Sequence, residues 1–333
     1  MKVALISTEA LITPPKKYGG IESLVYDLCK GLTEKGIDVT LFACNGSHSP
    51  SKLVEVIEEG WGKTGQCEEF ERRIINMKRA LKKFDVIHDN SHMKPCWKVH
   101  KRVLNTMHWK QNPAQCHHNN VVAISEGLAN WIRPLNEGRN VKVVHHGCDL
   151  TKYGFKKDKT DRFLFLSAIS PAKGADVALS IAKDMNLKID FAGLGGSTSG
   201  IIEEESKINP NISYLGEVSE EQKISLYQNA KALIFPTGVH GDWEEPFGLV
   251  AIEAMSCGTP VITWNSGAMP EIILHNQTGF ICNNMEDLRN AIRDVNNIMP
   301  ENCRNHVEEN FTYQAMAKKY IKLYKKLLKN EFW

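Results

Sequence analysis

Two glutamates eight positions apart, Glu245 and Glu253, are the residues of this 333-residue sequence best spaced to act on one ligand. If the whole segment between them were helical, they would lie roughly 12 Å apart along the helix axis. That separation is too long for one metal ion or one shared proton. It suits two carboxylates that hold different parts of an elongated ligand.

The residues between the glutamates predict a loop followed by a short helix. Pro246 stands where a first-turn proline is tolerated, and Gly258 stands where a helix commonly ends. Phe247, Gly248 and Leu249 would then present backbone N–H groups at a helix N-terminus, which is a ready site for an anion. Gly248 has no side chain, so a phosphate group could approach the backbone closely.

The sequence from Glu245 to Phe280 resembles the signature of retaining glycosyltransferases of the GT-B fold, in particular glycosyltransferase family 4. The family pattern has two glutamates around Pro-Phe-Gly, followed by Cys-Gly-Thr-Pro-Val, which this chain carries at 257–261. Gly-Ala-Met-Pro-Glu-Ile-Ile at 267–273 and Asn-Gln-Thr-Gly-Phe at 276–280 continue the resemblance. Two spaced glutamates alone would be a weak signal, whereas this continuous series of motifs is specific.

Length and composition are typical of a globular protein with two domains of about 150 residues each. Hydrophobic residues make up 42% and charged residues 24%, and a net charge of +2 gives no overall attraction to nucleic acid or membrane. The nine cysteines include no Cys-x-x-Cys pair, which indicates reduced thiols. The N-terminus lacks a signal-peptide pattern and no apolar run is long enough to span a membrane, so we expect a cytoplasmic protein.

The apolar runs predict an α/β protein with two Rossmann-like, doubly wound parallel-sheet domains. Strand, glycine-containing loop, helix and strand follow one another within residues 1–43, and the pattern restarts at residue 163. Residues 44–66 predict a surface loop with a little structure, residues 68–83 predict a helix, and Ser125 is expected to cap the helix that follows it. The resemblance implies that the two domains face a central cleft. Its expected divisions are an N-terminal, acceptor-side domain at 1–149, a linker at 150–161, a nucleotide-sugar-binding domain at 162–311, and a C-terminal helix at 312–333 that crosses back to the N-terminal domain.

Candidate site residues of the first domain lie at the carboxyl ends of predicted strands, where open α/β sheets bind ligands. Gly19 and Gly20 follow the first strand, and by themselves they indicate a tight turn. The resemblance instead implies a loop that approaches the donor diphosphate or the acceptor. His108 ends a later strand, and its position matches the family's active-site histidine near the donor sugar.

A metal site is the alternative for His88, Asp89 and His92. They follow a predicted parallel strand, where the family carries a similar histidine-containing end, and no third ligand group stands out. We therefore predict no metal ion. His117 and His118 are expected in a solvated loop.

Lys173 is the principal candidate for binding a diphosphate in the second domain. In the family its loop reads Gly-Arg-x-Ser-Pro-x-Lys-Gly, and the arginine and the lysine neutralise the diphosphate. This chain has Ser167 at the glycine position and Ala168 at the arginine position. Loss of one cation should weaken donor binding or require a replacement from elsewhere. The candidate replacements are Lys16, Lys17 and Arg133.

Other positions concern the nucleotide and the lining of the cleft. The resemblance implies that backbone groups in the turn ending at Val218 bind the nucleotide base. Thr198 stands where a nicotinamide-binding fingerprint needs a glycine, so a dehydrogenase is disfavoured. His146 begins a segment that in the family commonly reads Asn-Gly-x-Asp. Asp242, Trp243 and Glu244 are candidates for a sugar or acceptor pocket, with simple packing as the alternative for the tryptophan.

The resemblance implies a metal-independent, retaining hexosyltransferase without a cofactor, which moves a sugar from a nucleotide diphosphate-sugar to an acceptor hydroxyl and forms an α-glycosidic bond. Glu253 would bind the ribose, and Glu245 would contact the transferred sugar and stabilise its cationic transition state. Lys173 and the N–H groups around Gly248 and Leu249 would hold the diphosphate. A UDP-sugar is favoured and a GDP-sugar is second. The acceptor stays open among a lipid, a glycan, a small molecule and a modified nucleic-acid base.

Alternatives to this function stay open. Ala168 allows a nucleotide-sugar-binding protein without turnover, and an epimerase or a phosphorylase can share the architecture. The C-terminal helix carries lysines along one face, and a basic amphipathic helix can contact an anionic membrane surface weakly. Packing of this helix on the first domain is the favoured interpretation.

Overall fold

The computed structural model describes residues 1–17, 19–60, 63–110, 119–137 and 139–333. Two compact units are present, one formed by Met1–Gly147 with Tyr313–Trp333 and the other by Cys148–Thr312. The predicted loop with His117 and His118 lies outside the described residues.

Parallel strands form the centre of each unit. The first unit contains β1 (Lys2–Ile6), β2 (Asp38–Cys44), β3 (Lys52–Ile57), β4 (Val86–Asp89), β5 (Val103–Met107), β6 (Val121–Ala123) and β7 (Lys142–Val143). The second contains β8 (Phe163–Leu166), β9 (Ile189–Ala192), β10 (Ile212–Gly216), β11 (Leu233–Phe235), β12 (Val261–Trp264) and β13 (Gly279–Cys282).

The strand order of both sheets is doubly wound. Over the described residues the first sheet runs β3-β2-β1-β4-β5-β6-β7 and the second runs β10-β9-β8-β11-β12-β13. The chain therefore changes direction across the sheet between β1 and β4 in one unit and between β8 and β11 in the other. At such a switch point the loops leave toward opposite sides of the sheet, which opens a crevice at the carboxyl ends of the two strands.

Helices connect the strands along the chain. They are α1 (Gly20–Glu34), α2 (Gln66–Asn76), α3 (Lys78–Leu81), α4 (Glu126–Ile132), α5 (Ala175–Asp184), α6 (Ser199–Ile208), α7 (Glu220–Asn229), α8 (Leu249–Ser256), α9 (Met269–Ile272), α10 (Met285–Asp294), α11 (Pro300–Asn310) and α12 (Tyr313–Leu328).

Two predicted elements are refined by the structure. The structured part of residues 44–66 is β3 (Lys52–Ile57), which pairs in parallel with β2. This edge strand mixes exposed and buried positions and carries a weak apolar signal of its own. The helix predicted at 68–83 is interrupted at Met77, between α2 and α3. Ser125 caps α4 as predicted, since its hydroxyl accepts a hydrogen bond from the Leu128 N–H.

The last helix, α12, packs its apolar face into the core of the first unit. Tyr320, Leu323, Tyr324 and Leu327 are buried there with residues of α1 and of the strands. The lysines of α12 lie on the opposite, exposed face. The packing interpretation of this helix is therefore confirmed. No helix among the described residues is long and apolar enough to cross a membrane.

Close packing of α1 against α12 depends on Gly31. A Cβ atom at this position would lie 2.9 Å from Ala317 Cβ and 3.1 Å from the Tyr313 carbonyl oxygen. Both contacts are shorter than ordinary van der Waals separation, so a larger side chain would force the two helices apart.

We predict that Gly31→Leu lowers the free energy of unfolding of the first unit by about 1–3 kcal/mol, because it overpacks this contact. Gly200→Leu is the matched control. Gly200 lies in α6 with nothing within 4 Å of a Cβ atom, so leucine should be neutral or stabilise by up to about 1 kcal/mol. Urea unfolding followed by circular dichroism measures both, and equal effects would contradict the packing argument.

Candidate active site

Lys173 and Glu245 meet at the switch point of the second sheet. Lys173 lies in the loop after β8, and Glu245 lies in the loop after β11. Lys173 Nζ donates to Glu245 Oε2 at 2.6 Å, and Thr237 Oγ1 donates to the same oxygen at 3.1 Å. Glu245 is buried. The lysine and the glutamate, for which separate roles are predicted, thus form one shielded ion pair.

Trp243 forms a second contact with this lysine. Lys173 Nζ lies 4.5 Å from the centroid of the indole ring, which is a cation–π geometry. Among the described residues, the buried indole Nε1 of Trp243 has no hydrogen-bond partner. The tryptophan therefore holds the cation on one side and retains a hydrogen-bond donor.

The turn from Glu245 into α8 depends on two glycines. Gly248 has φ 91° and precedes α8, and a Cβ atom there would lie 2.2 Å from Met269 Cε. A Cβ atom on Gly267 would lie 2.2 Å from the Glu245 carbonyl oxygen. That carbonyl oxygen also accepts a hydrogen bond from the Ala268 N–H at 2.9 Å. The backbone that carries Glu245 is therefore tightly enclosed.

The extent of α8 corrects one prediction. The helix begins at Leu249, so Pro246 is not in its first turn and the segment between the two glutamates is only partly helical. The axial spacing derived for a continuous helix therefore does not apply. The N–H groups at the start of α8, including that of Leu249, have no acceptor within the helix. Phe247 is buried and packs edge-on against Phe311, with ring centroids 6.2 Å apart.

Glu253 is held by three hydrogen-bond donors that were not predicted from the sequence. Tyr153 Oη and Lys223 Nζ donate to its Oε1 at 2.8 Å and 3.2 Å, and Tyr227 Oη donates to its Oε2 at 3.0 Å. Burial and the charge of Glu253 raise the pKa of both tyrosines well above the usual value. Lys223 and Tyr227 lie one helical turn apart in the sequence, and this spacing is the signal that could have predicted that they act on one partner.

Lys223 is, like Lys173, a positively charged side chain of the second unit. Although burial lowers its pKa, the attraction of Glu253 and Glu220 raises that pKa above the usual value. The replacement cations suggested by the sequence, Lys16, Lys17 and Arg133, all belong to the first unit. There Arg133 forms an ion pair with Glu126 at 2.7 Å.

His108 has a defined tautomer in the first unit. Its Nε2 lies 3.1 Å from Asn90 Oδ1, and the orientation of this amide is fixed because Asn90 Nδ2 donates to the Ile6 carbonyl oxygen. Nε2 therefore carries the proton and Nδ1 is an acceptor. In the described part of the chain, this buried Nδ1 has no hydrogen-bond partner.

His146 stacks on His108 with ring centroids 5.4 Å apart. Burial, followed by the neighbouring His146, lowers the pKa of His108 well below the usual value, and burial lowers the pKa of His146 to about 3. Both rings are therefore neutral at pH 7. The residue that replaces the family's asparagine thus lies against the predicted active-site histidine.

The remaining predicted residues lie at element boundaries. Gly19 precedes α1 with φ 148°, and a Cβ atom there would lie 2.7 Å from Pro15 Cβ, while Gly20 is the first residue of α1. Val218 lies in the turn between β10 and α7. Gly19, Gly20 and His108 belong to the first unit, and the other predicted site residues belong to the second.

The three residues considered for a metal do not converge. His88 is buried, and its ring nitrogens lie 2.7 Å from Tyr324 Oη and 2.7 Å from Thr106 Oγ1. The Asp89 carboxylate accepts hydrogen bonds from Ser91 and Cys96. His92 is paired instead with Glu9, whose carboxylate also accepts from Cys67; neither partner was identified from the sequence. Burial raises the pKa of Glu9, but the hydrogen bond and charge of His92 outweigh this and lower it to about 2.

Comparison with known protein families gives two matches. A family described as glycosyltransferase family 4 matches residues 18–152, and one described as glycosyl transferases group 1 matches residues 151–326, more than half of the chain. The chain belongs to the glycosyl transferases group 1 family. The family resemblance inferred from the motif series is thereby confirmed.

This group 1 family member is similar to proteins of known sequence and structure. It is 29% identical over 178 residues to an uncharacterized 41.2 kDa protein in the cps region of Klebsiella pneumoniae. The match covers 51% of this chain and 47% of that protein, so this chain spans about half the length of that relative. The crystal structure of AviGT4, a glycosyltransferase involved in avilamycin A biosynthesis, matches with a TM-score of 0.80 and 24% identity over 100% of this chain and 99% of that one. Anabaena Alr3699/HepE, solved in complex with UDP and glucose, matches with a TM-score of 0.72 and 15% identity over 97% and 99%. The GT-B fold with two Rossmann-like domains is confirmed.

Buried neutral histidines predict acid sensitivity of the first unit. Burial lowers the pKa of His88 and of His146 to about 3, whereas an unfolded histidine titrates near the ordinary 6.5. The unfolded state therefore takes up protons first as the pH falls below about 6.5. The contribution of each histidine is complete above that pH and is lost on acidification toward its folded pKa, at about 1.4 kcal/mol per pH unit.

We expect His146→Asn to reduce the slope of the free energy of unfolding against pH by the amount that one titrating histidine contributes. Urea unfolding between pH 7.5 and pH 5, read by circular dichroism and by hydrogen exchange in β4 and β5, measures the slope. His48→Asn, at an exposed position of the same unit, is the control and should leave the slope unchanged. An unaltered slope in the His146 variant would show that this ring does not stay neutral in the folded unit.

Proposed function

We propose that this group 1 family member is a retaining glycosyltransferase that moves a hexosyl group from a UDP-sugar to an acceptor hydroxyl and forms an α-glycosidic bond. The observation that carries the proposal is the Lys173–Glu245 ion pair beside the start of α8. An activated sugar presents a diphosphate that needs positive partners and an anomeric carbon that becomes positive in the transition state. This site supplies a cation, helix N–H groups and a carboxylate for these needs.

Donor binding would exchange partners within the site. The diphosphate competes with Glu245 for Lys173 and accepts hydrogen bonds from the N–H groups at the start of α8. Glu245 Oε2 would then accept a hydrogen bond from a hydroxyl of the sugar, while Thr237 keeps the carboxylate in place. The ion pair of the unliganded protein thus holds both side chains near the geometry that transfer requires.

Glu253 keeps capacity for one more donor. An ionised carboxylate offers about four lone-pair sites, and Tyr153, Lys223 and Tyr227 occupy three of them. A ribose hydroxyl can take the remaining site on a carboxylate that the three donors have already oriented. Backbone groups in the turn at Val218 are proposed to contact the base. The UDP and glucose bound to Alr3699/HepE support a UDP-sugar as donor, with a GDP-sugar second.

The transfer step breaks the bond between the anomeric carbon and the diphosphate oxygen. The acceptor oxygen forms its bond on the same face of the sugar, which retains the configuration, and its proton passes to the departing phosphate oxygen. Glu245 stabilises the positive charge on the sugar. We propose that neutral His108 accepts a hydrogen bond from a sugar hydroxyl at Nδ1. Gly19 and Gly20 are proposed to let the backbone approach the donor or acceptor. The charge of the diphosphate is proposed to be neutralised without a metal ion.

Glu245→Gln tests the carboxylate. We expect the rate of UDP release from UDP-glucose in water, a reaction that needs no identified acceptor, to fall at least about 10²-fold, while UDP binding changes only a few-fold. Glu286→Gln, an exposed position at the start of α10, is the charge-matched control and should keep the full rate. Full turnover in the Glu245 variant would refute the role of this residue.

The same assay with the unmodified chain separates turnover from binding alone. Nuclear magnetic resonance of the released sugar gives its anomeric configuration, and an inverted product would refute the retaining mechanism. Tight nucleotide-sugar binding without release from UDP- or GDP-sugars would instead favour the binding protein that Ala168 suggests. Sugar isomerisation with donor alone would favour an epimerase.

Lys173→Met tests the diphosphate contact. We expect UDP binding, measured by calorimetry, to weaken about 10- to 100-fold, because a charged hydrogen bond of about 1.5–3 kcal/mol is lost. Lys207→Met removes an exposed lysine that pairs with Glu204 on α6, and it should leave UDP affinity unchanged. Equal affinities of the Lys173 and Lys207 variants would place the diphosphate elsewhere.

A further inference from the structure

Glu9, Cys67 and His92 form a cluster at the carboxyl edge of the first sheet. Glu9 follows β1 and His92 follows β4, the two neighbouring strands at which the sheet order turns. Cys67 is the second residue of α2. One side-chain ligand atom from each of the three residues lies within 4.8 Å of the other two.

Hydrogen bonds hold the three side chains in this arrangement. Glu9 Oε1 lies 2.6 Å from His92 Nδ1 and 2.9 Å from Cys67 Sγ. Glu9 Oε2 accepts from the His92 backbone N–H at 3.3 Å. Gln66 Nε2 donates to the Glu9 carbonyl oxygen at 3.1 Å, which ties the start of α2 to the loop after β1. The cluster is therefore preorganised by contacts around it as well as within it.

We infer that Glu9, Cys67 and His92 bind a Zn²⁺ ion. A thiolate, an imidazole nitrogen and a carboxylate oxygen are the ligand types that zinc takes in proteins. Zinc–ligand bonds of about 2.0–2.3 Å in a tetrahedral site place the ligand atoms about 3.3–3.8 Å apart. Movements of about 1 Å or less convert the present hydrogen-bonded cluster into that geometry.

Binding is balanced in charge and protons. The ion takes the place between Glu9 Oε1, His92 Nδ1 and Cys67 Sγ where the shared hydrogens now lie. The thiol proton and the proton on His92 Nδ1 leave to solvent, and the metal-bound imidazole carries its one remaining proton on Nε2. Thiolate and carboxylate together cancel the charge of the ion, which suits a site where the Glu9 side chain is 2% exposed. Three protein ligands leave one position for water.

The proposed site lies outside the residues assigned to the donor. It also differs from the metal alternative raised by the sequence, because His88 and Asp89 are occupied by other partners and His92 faces Glu9 and Cys67. His92 stacks on Trp109 with ring centroids 5.1 Å apart, which fixes the plane of the imidazole.

Cobalt is the spectroscopic probe for this site. The full chain is stripped with a chelator under anaerobic, reducing conditions and titrated with Co²⁺. We expect one Co²⁺ per chain, a near-ultraviolet thiolate-to-cobalt charge-transfer band, and displacement of that band by Zn²⁺. Cys67→Ser should abolish the band, and Glu9→Gln and His92→Gln should each weaken Co²⁺ binding at least about 10-fold. Circular dichroism and UDP binding, both expected to be unchanged, check that each variant is folded.

Two cysteine variants make the assignment specific. Cys29→Ser is the matched control, because the Cys29 thiol already contacts the hydroxyls of Ser49 and Ser51 and a serine fits there. It should keep the band. The sequence also carries Cys116 and His117, outside the described residues, so Cys116→Ser is measured as well. Absence of a band in the unmodified chain, its persistence in Cys67→Ser, or its loss in Cys116→Ser alone would overturn the proposal.

Discussion

A lysine–glutamate pair at the end of two parallel strands, with the glutamate buried and the lysine partly exposed, is the interaction around which the second unit is arranged. Lys173 and Glu245 are far apart in the chain, and both side chains are mostly removed from water. A carboxylate in such a place is costly without a partner, and removal of one member of a buried pair typically costs about 3–5 kcal/mol. The pairing therefore constrains both loops, with Thr237 and Trp243 limiting how far either side chain can move.

Strand order explains why the pair exists. The sheet turns between β8 and β11, so the loops after these strands are neighbours that run to opposite sides. Polar side chains on both loops then meet at one edge, close to the start of α8. The same reasoning applies to β1 and β4 in the first unit, where Glu9 and His92 meet. One topological rule thus gathers polar groups at an equivalent place in each unit, although the residues gathered are different.

Glu253 shows how a carboxylate is held in one orientation. Its carboxylate is oriented by two tyrosines and a lysine, whose donors come from α7 and from the segment before β8. Glu245 has fewer and more exchangeable partners, since an anionic ligand can draw Lys173 away. Under the proposed function, the fixed carboxylate of Glu253 would recognise a constant part of the donor, and Glu245, with its exchangeable partner, would contact the part that reacts. His108 is held in a comparable way, with one nitrogen bound to Asn90 and the other left as an acceptor.

The family, the two doubly wound units and the cap at Ser125 could be predicted from the sequence alone. These depend on local periodicity and on contiguous motifs, which are readable in order along the chain. The type and position of strand β3 and the interruption of the helix at Met77 were not predicted, because an edge strand and a helix break carry weak local signals. The true start of α8 was missed for a related reason: Gly248 adopts a left-handed backbone that delays the helix beyond Pro246.

Which side chains meet depends on the tertiary fold. Lys173 with Glu245, Glu253 with Tyr153, and Glu9 with Cys67 and His92 are pairings between distant segments. Their members are brought together by strand order, and no spacing along the chain encodes that order directly. Burial likewise decided that His88, His108 and His146 are neutral, since a pKa depends on the water and charges around a ring and not on its sequence neighbours.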